Sequence, residues 1–143
     1  MSDHLERAMN AEGRCLCSAV TFVAQDVVAE LHVCHCSMCR RWAGGPTFSA
    51  EVGNVTFRGE ENIQRYSSSA WAERGFCKRC GSSLFYRLKE TNHYMLNMGS
   101  FDDQRPFKIA SEIYVDDKPT GYDFAGVHPR LTGEEFLASL QKK

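Results

Sequence analysis

Apolar residues arrive along this chain in short runs, rich in β-branched and aromatic types, each closed by a polar or glycine-bearing break. Val20-Thr21-Phe22-Val23 and the stretch from Val27 to Val33 predict strands. Thr47-Phe48-Ser49-Ala50-Glu51-Val52 and Val55-Thr56-Phe57 predict two more. Further strands are expected at Ile63 to Tyr66, Trp71 to Phe76, Ser83 to Leu88, Tyr94 to Met98 and Glu112 to Val115. Gly53-Asn54, Gly59, Gly81 and Gly99-Ser100 fall between them as turns. Many short strands at close spacing predict a mainly β fold. Only the tail has a helical period: Thr132 can cap a helix whose Glu135 completes a capping box, with Phe136, Leu137 and Leu140 on one face. A brief helical turn fits Ser37 to Trp42. No repeat, linker or low-complexity segment interrupts the pattern, so the expected organisation is a polar leader over 1–12 and a single domain over 13–143.

Composition narrows the class. With 143 residues, 43% hydrophobic and 24% charged, the chain is an ordinary globular one, long enough to bury a core without help. Any bound metal would reinforce that fold rather than replace it. The formal charge is −1 and the Lys and Arg residues are scattered, so no basic face for nucleic acid is expected. No apolar run approaches the roughly 18 residues that span a bilayer. Met1 to Gly13 carries Asp3, Glu6 and Glu12 without an apolar stretch, so no signal peptide and no membrane are expected, and the expected address is cytoplasmic.

Seven cysteines carry the chemistry. An odd number leaves one thiol over from any closed disulfide framework, and in a reducing compartment such a set points to metal or catalysis. They fall in three clusters: Cys15-Leu16-Cys17, then Cys34-His35-Cys36-Ser37-Met38-Cys39, then Cys77-Lys78-Arg79-Cys80-Gly81. A Cys-x-x-Cys step aims two sulfurs at one ion, as zinc–thiolate bonds of about 2.3 Å require. Cys-x-Cys converges too, because alternate residues of an extended strand share a side. Gly81, lacking a Cβ, suits the exit from the knuckle. Structural zinc sites take four protein ligands and catalytic ones take three, leaving a place for water or substrate. Seven divides naturally into four and three, a division the count suggests without compelling. The alternatives are a single four-cysteine site with three idle thiols, and cysteines that are simply buried hydrophobes. A redox Cys-x-x-Cys belongs at a helix start in an αβ pattern that is missing here.

At these residues the chain resembles the glutathione-dependent formaldehyde-activating enzyme family, which also includes centromere protein V. The resemblance runs from Gly13 to about Arg130. It rests on Gly13-Arg14-Cys15-Leu16-Cys17-Ser18-Ala19-Val20, Cys34-His35-Cys36-Ser37-Met38-Cys39-Arg40 and Phe76-Cys77-Lys78-Arg79-Cys80-Gly81-Ser82-Ser83-Leu84-Phe85-Tyr86-Arg87. Met98-Gly99-Ser100-Phe101-Asp102-Asp103 and Glu112-Ile113-Tyr114-Val115-Asp116 echo it more weakly. The resemblance implies a zinc-stapled β-tent fold with two zinc ions per chain. Cys15, Cys17, Cys77 and Cys80 match the family's structural site, and Cys34, Cys36 and Cys39 its catalytic one. The activity it implies is carbon–sulfur bond formation between glutathione and formaldehyde, a lyase or synthase reaction giving S-hydroxymethylglutathione.

Zinc held by three thiolates is a mild Lewis acid that favours the deprotonated form of a coordinating thiol, so a substrate sulfur is the natural fourth ligand. Glutathione offers two carboxylates, which the planar arginine fork recognises well. Arg40 and Arg41 directly follow the trio and are expected to orient them, with Trp42 as a wall; Arg74 and Arg87 are weaker candidates. Each arginine has the alternative of a local acid or of solvent. Gly44-Gly45 would admit close backbone approach or form a turn. His35, between two ligands, reads as a structural histidine or as a proton shuttle behind the metal. His32 shares its alternation with Cys34 and Cys36 and is a distant candidate for a fourth ligand. His4, His93 and His128 lack ligand spacing, and Phe85, Tyr94 and Phe107 read as core. Two other functions compete: a non-enzymatic zinc scaffold that binds a protein partner, which has no need of an open trio, and methionine sulfoxide reduction, whose cysteine pattern fits poorly.

Overall fold

The computed structural model describes residues 8–141. In chain order its strands are β1 (Ala8–Arg14), β2 (Thr21–Val28), β3 (Glu30–Cys34), β4 (Thr47–Glu51), β5 (Asn54–Arg58), β6 (Ile63–Ser67), β7 (Ala72–Cys77), β8 (Ser83–Leu88), β9 (His93–Asn97), β10 (Lys108–Ile113) and β11 (Arg130–Leu131). Helix α1 (Ser37–Ala43) follows β3 and helix α2 (Gly133–Leu140) follows β11. The protein is mainly β with a short C-terminal helix, as the alternation of apolar residues predicts. The backbone gathers into two compact units, one from 8–30 with Ser49–Phe107, the other from Leu31–Phe48 with 108–141.

In the first unit β2 is the centre of a three-stranded antiparallel sheet, β1-β2-β5. Phe22 and Ala24 of β2 are buried while Val23 is exposed, because successive strand side chains point to opposite faces. Strands β6 to β9 form an antiparallel meander that β4 extends, in the order β4-β9-β8-β7-β6. Aromatic rings fill this unit's interior. Phe22 meets Phe101 edge-on with centroids 5.4 Å apart, Phe85 meets Tyr94 at 5.0 Å, and Phe101 lies 4.8 Å from Phe107. Phe85, Tyr94 and Phe107 are therefore packing residues.

One strand escapes the sequence pattern. Ala8–Arg14 is β1, with Met9 opposite Val27 and Glu12 opposite Val23, although its residues read as polar leader. A register shift between Met9 and Ala11 breaks the two-residue period that would have revealed it. Gly13 permits the close approach: a Cβ there would stand 2.2 Å from the Ser100 carbonyl oxygen and 2.3 Å from the Phe22 ring.

In the second unit the strands run β11-β10-β3, with β10 and β11 parallel and Glu112 opposite Arg130. The stretch from Val27 to Val33 is not one strand. It divides at Ala29, β2 remaining in the first unit while β3 from Leu31 onward belongs to the second. The strand expected to reach Val115 stops at Ile113, because Tyr114 takes a left-handed conformation (φ 58°) and turns the chain into a 3-10 turn at Val115–Asp117. Helix α2 begins as predicted. The Glu135 N–H donates to Thr132 Oγ1 at 3.1 Å and the Thr132 N–H donates to Glu135 Oε1 at 2.8 Å.

Candidate metal centres

The first unit ends β1 and β7 in two turns that each carry a pair of cysteines. After β1, Cys15-Leu16-Cys17-Ser18 folds back on itself: the Cys15 N–H donates to the Val20 carbonyl at 3.0 Å and the Ser18 N–H to the Cys15 carbonyl at 3.2 Å. After β7, the Gly81 N–H donates to the Cys77 carbonyl and the Cys77 N–H to the Ser82 carbonyl. Gly81 sits at φ 79°, the left-handed region that a glycine enters without strain. The Leu16 N–H donates to Ser82 Oγ at 3.0 Å and so ties one turn to the other.

These turns bring Cys15, Cys17, Cys77 and Cys80 together with all four sulfurs within 4.8 Å of one another. The Cys15–Cys17 separation is 3.7 Å and the Cys17–Cys77 separation 3.8 Å. A tetrahedron of sulfurs at zinc–thiolate bond length has edges of about 3.8 Å, so the spacing fits the ion. The electrostatics fit as well. Ser82 donates to Cys80 and, with backbone N–H groups, draws its thiol down to about 5. Burial alone would raise Cys15, but the Val20 N–H, 3.3 Å from its sulfur, and two neighbouring thiols carry it below the ordinary value. Cys17 goes the other way: the Ala19 N–H favours its thiolate, but burial and three adjacent sulfurs outweigh that and push it up to about 11. Four sulfurs this close repel as anions, and a divalent cation among them is what lets all four ionise.

The second unit holds the other three cysteines. Cys34 ends β3, Cys36 is the N-cap of α1, and Cys39 lies in that helix's first turn. Their sulfurs also fall within 4.8 Å of one another. Cys39 is buried; Cys34 and Cys36 are half-buried. The Cys39 N–H donates to Cys36 Sγ at 3.4 Å, so the capping bond of the helix also orients a sulfur. Cys36 and Cys39 push the Cys34 thiol upward, the same crowding that a bound cation would relieve. A trio of this kind could hold zinc with one tetrahedral position left over.

The remaining sequence candidates sort themselves by partner. Arg40 is half-buried and its Nε donates to the His35 carbonyl at 2.9 Å; Arg41 is exposed and Trp42 half-buried. Gly44, at φ 83°, is the C-cap of α1, its N–H donating to the Arg40 carbonyl, so the Gly44-Gly45 pair forms a turn. Arg74 lies over the Tyr86 ring, and Arg87 donates to Glu73 and Asn92. His32 is outside the thiol cluster, its Nδ1 2.8 Å from Ser111 Oγ. His93 approaches Glu51 at 3.6 Å, and His4 lies outside the described residues. His35 is fully buried, with Nε2 2.8 Å from Glu112 Oε1 and Nδ1 3.0 Å from Tyr122 Oη.

Glu112 is the centre of a buried polar cluster that the cysteine pattern does not reveal. Its carboxylate also accepts from His128 Nε2 at 2.6 Å and from Arg130 Nε at 3.0 Å. Burial alone would raise this carboxyl, but the His128 and His35 donors and the Arg130 charge outweigh it and hold it below the ordinary range. β10 brings these groups together by lying between β3 and β11, so no spacing in the chain could have pointed to them.

The chain is thus a mainly β, cysteine-rich protein with four thiols gathered in one compact unit and three in the other, each set able to hold a metal ion. It belongs to the glutathione-dependent formaldehyde-activating enzyme family, whose model matches residues 10–117. A Schizosaccharomyces pombe protein described as an uncharacterized lyase is 35% identical over 133 residues, 92% of this chain and 97% of that one. A Halomonas elongata protein provisionally named a glutathione-dependent formaldehyde-activating enzyme is 33% identical over 87 residues, 54% of this chain and 55% of its own length. The crystal structure of a Rhodobacter sphaeroides protein shares the fold, with a TM-score of 0.54 at 23% identity, covering 83% of this chain and 98% of that one. Among the described residues no helix is long and apolar enough to cross a membrane.

Proposed function

We propose that this protein is a zinc-dependent carbon–sulfur lyase or synthase that joins a glutathione-type thiol to a small aldehyde and runs reversibly. The observation that carries the reading is the unequal pair of clusters, four thiols in one and three in the other. In this reading Cys15, Cys17, Cys77 and Cys80 close a structural zinc site, and Cys34, Cys36 and Cys39 hold a catalytic zinc with one position open. Zinc bound there would stabilise a coordinating thiol as its thiolate and polarise an aldehyde oxygen.

The chain's own residues supply position. The trio lies where β3 runs into α1, and the helix that Cys36 caps carries Arg40 and Arg41 on from the site. Arg40, steadied by the bond from Nε to the His35 carbonyl, keeps its terminal nitrogens for a carboxylate of the thiol substrate. Arg41, exposed, and Trp42, half-buried, follow it in the helix and are the further candidates for contact with the thiol substrate. In the forward direction the substrate sulfur attacks the carbonyl carbon, a carbon–sulfur bond forms, the carbonyl π bond breaks, and the proton lost from sulfur ends on the new hydroxyl. The products are the S-hydroxymethyl adduct of the thiol and nothing else, so no external oxidant or reductant is required.

Calorimetric titration with glutathione and with S-methylglutathione tests the anchor, and NMR of a glutathione–formaldehyde mixture tests turnover. Glutathione should bind with release of a proton, more tightly as pH rises toward the free thiol's pKa, and the S-methyl compound should bind far more weakly. Arg41→Gln, which leaves the Arg40 bond to the His35 carbonyl in place, should weaken glutathione binding roughly ten-fold without changing metal content. Equal binding of both compounds would show that sulfur is not the anchor. Binding of neither, with no acceleration of adduct formation, would sink the enzymatic reading in favour of a partner-binding scaffold.

A further inference from the structure

His35 stands between Cys34 and Cys36, and each of its polar atoms has a partner. Its backbone N–H donates to the Ile113 carbonyl at 3.1 Å, and its carbonyl accepts from Arg40 Nε. Its ring lies against Tyr122 and Phe124, with centroids 5.6 and 5.9 Å away. Both ring nitrogens are engaged, Nε2 by Glu112 and Nδ1 by Tyr122. An ionised Glu112 can only accept, so Nε2 donates its hydrogen bond to it.

Glu112 is the root of this arrangement. Its side chain is 2% exposed, and it takes three donors, from His35, His128 and Arg130. Burying a carboxylate with several cationic or polar partners yields little net stability compared with an apolar replacement, so stability is a poor explanation for the network. Orientation is a better one. The four-thiol cluster is braced by two chain segments, 15–17 and 77–80, tied by the Ser82 bond to Leu16. The three-thiol cluster comes from one short stretch, 34–39, and has no second segment contributing a sulfur. Whatever holds His35 still also sets the Cα–Cβ directions of the two thiols on either side of it.

We propose that Glu112 is a positioning residue for the three-thiol site, acting through His35, whose clamped ring and backbone hold Cys34 and Cys36 in a shape ready for metal. The inference rests on the reading of that trio as a zinc site. It extends that reading by assigning to the β10–β11 segment the task of organising ligands it does not supply. Groups that support a metal's ligands in this way typically change affinity by about 10- to 100-fold when altered.

Zinc competition against a chromophoric chelator, on the full chain purified reduced, is the first readout; the visible spectrum of the cobalt(II)-substituted protein is the second. Glu112→Gln keeps the shape of the side chain but removes its charge, and Tyr122→Phe removes only the Nδ1 partner. Thr132→Ala, which uncaps α2 in the same unit, serves as a destabilising control away from the clamp. We expect Glu112→Gln to weaken the weaker zinc step about ten-fold or more, Tyr122→Phe to weaken it less, and both to alter the cobalt bands. The stronger step should stay within about two-fold in every variant, and Thr132→Ala should change neither step nor spectrum. Unchanged affinity and spectrum in both clamp variants would overturn the proposal, as would an equal effect of Thr132→Ala or uptake of a single metal by the wild-type chain. Should Glu112→Gln fail to fold, Tyr122→Phe decides the matter alone. No turnover is measured, so a chain that shows this zinc pattern yet forms no carbon–sulfur bond would defeat the proposed activity and leave the clamp standing.

Discussion

Cys77 and Cys36 look alike in sequence, each opening a Cys-x-x-Cys step, but their surroundings differ. Cys77 is fully buried at the end of a central strand, and its sulfur is 3.8 Å from Cys17, sixty residues away in the chain. Cys36 is half-buried and shares its cluster only with near neighbours. Losing a structural zinc removes an apparent binding energy of roughly 10–16 kcal/mol, comparable to the whole stability of a domain at about 5–15 kcal/mol. Cys77→Ser and Cys15→Ser are therefore expected to lose soluble yield and a cooperative melt, while Cys36→Ser stays folded and binds one metal fewer. Equal melting of all three would contradict the division of roles. Gly13 offers a metal-independent check at the same scale. Gly13→Ala would place a methyl into the Ser100 carbonyl and the Phe22 ring, and chemical denaturation should show a loss of about 1–3 kcal/mol.

Strands β6, β7 and β8 are joined by more than their backbone ladders. Glu73 on β7 accepts from Arg65 Nη1 on β6 at 2.7 Å and from Arg87 Nε on β8 at 2.8 Å, and Arg65 also donates to Tyr94 on β9. The Arg87 hydrogen bond, followed by that of Arg65, outweighs burial and holds the Glu73 carboxyl below its ordinary value of 4.5. A carboxyl with a depressed folded-state pKa contributes stability that is fully present above the unfolded value and is lost as pH falls through the folded one. Glu73→Gln should consequently cost about 1–2 kcal/mol at neutral pH, and the difference from wild type should shrink below pH 4.5. Urea unfolding at neutral and acid pH gives both numbers; a constant difference would show that the charge of Glu73 is not what joins the strands.

At the level of the molecule, each compact unit carries one thiol cluster. Two zinc ions per chain are expected from elemental analysis of carefully reduced protein. The ion in the trio should leave first on chelation, since three ligands hold it rather than four and they all come from one loop. A single zinc, or simultaneous loss of both, would favour the one-site alternative.

Much of this protein was legible in its residues because the features concerned are local. Alternating apolar runs predict strands, Thr132 and Glu135 write a capping box into adjacent positions, and Cys-x-Cys and Cys-x-x-Cys converge through turn geometry alone. What the residues could not disclose depends on pairing across long separations. β1 is a strand because β2 offers it an edge, with a register shift hiding its period. The stretch from Val27 to Val33 breaks at Ala29 because its two halves join different units, although its residues read as strand on both sides. Glu112 meets His35 on one side and His128 and Arg130 on the other only because β10 lies between β3 and β11. The sequence determined which residues could bind a metal, since ligand chemistry belongs to the side chain and its neighbours. Tertiary structure alone decided what stands behind them, since a buried charge is tolerated only where distant parts of the chain bring it partners.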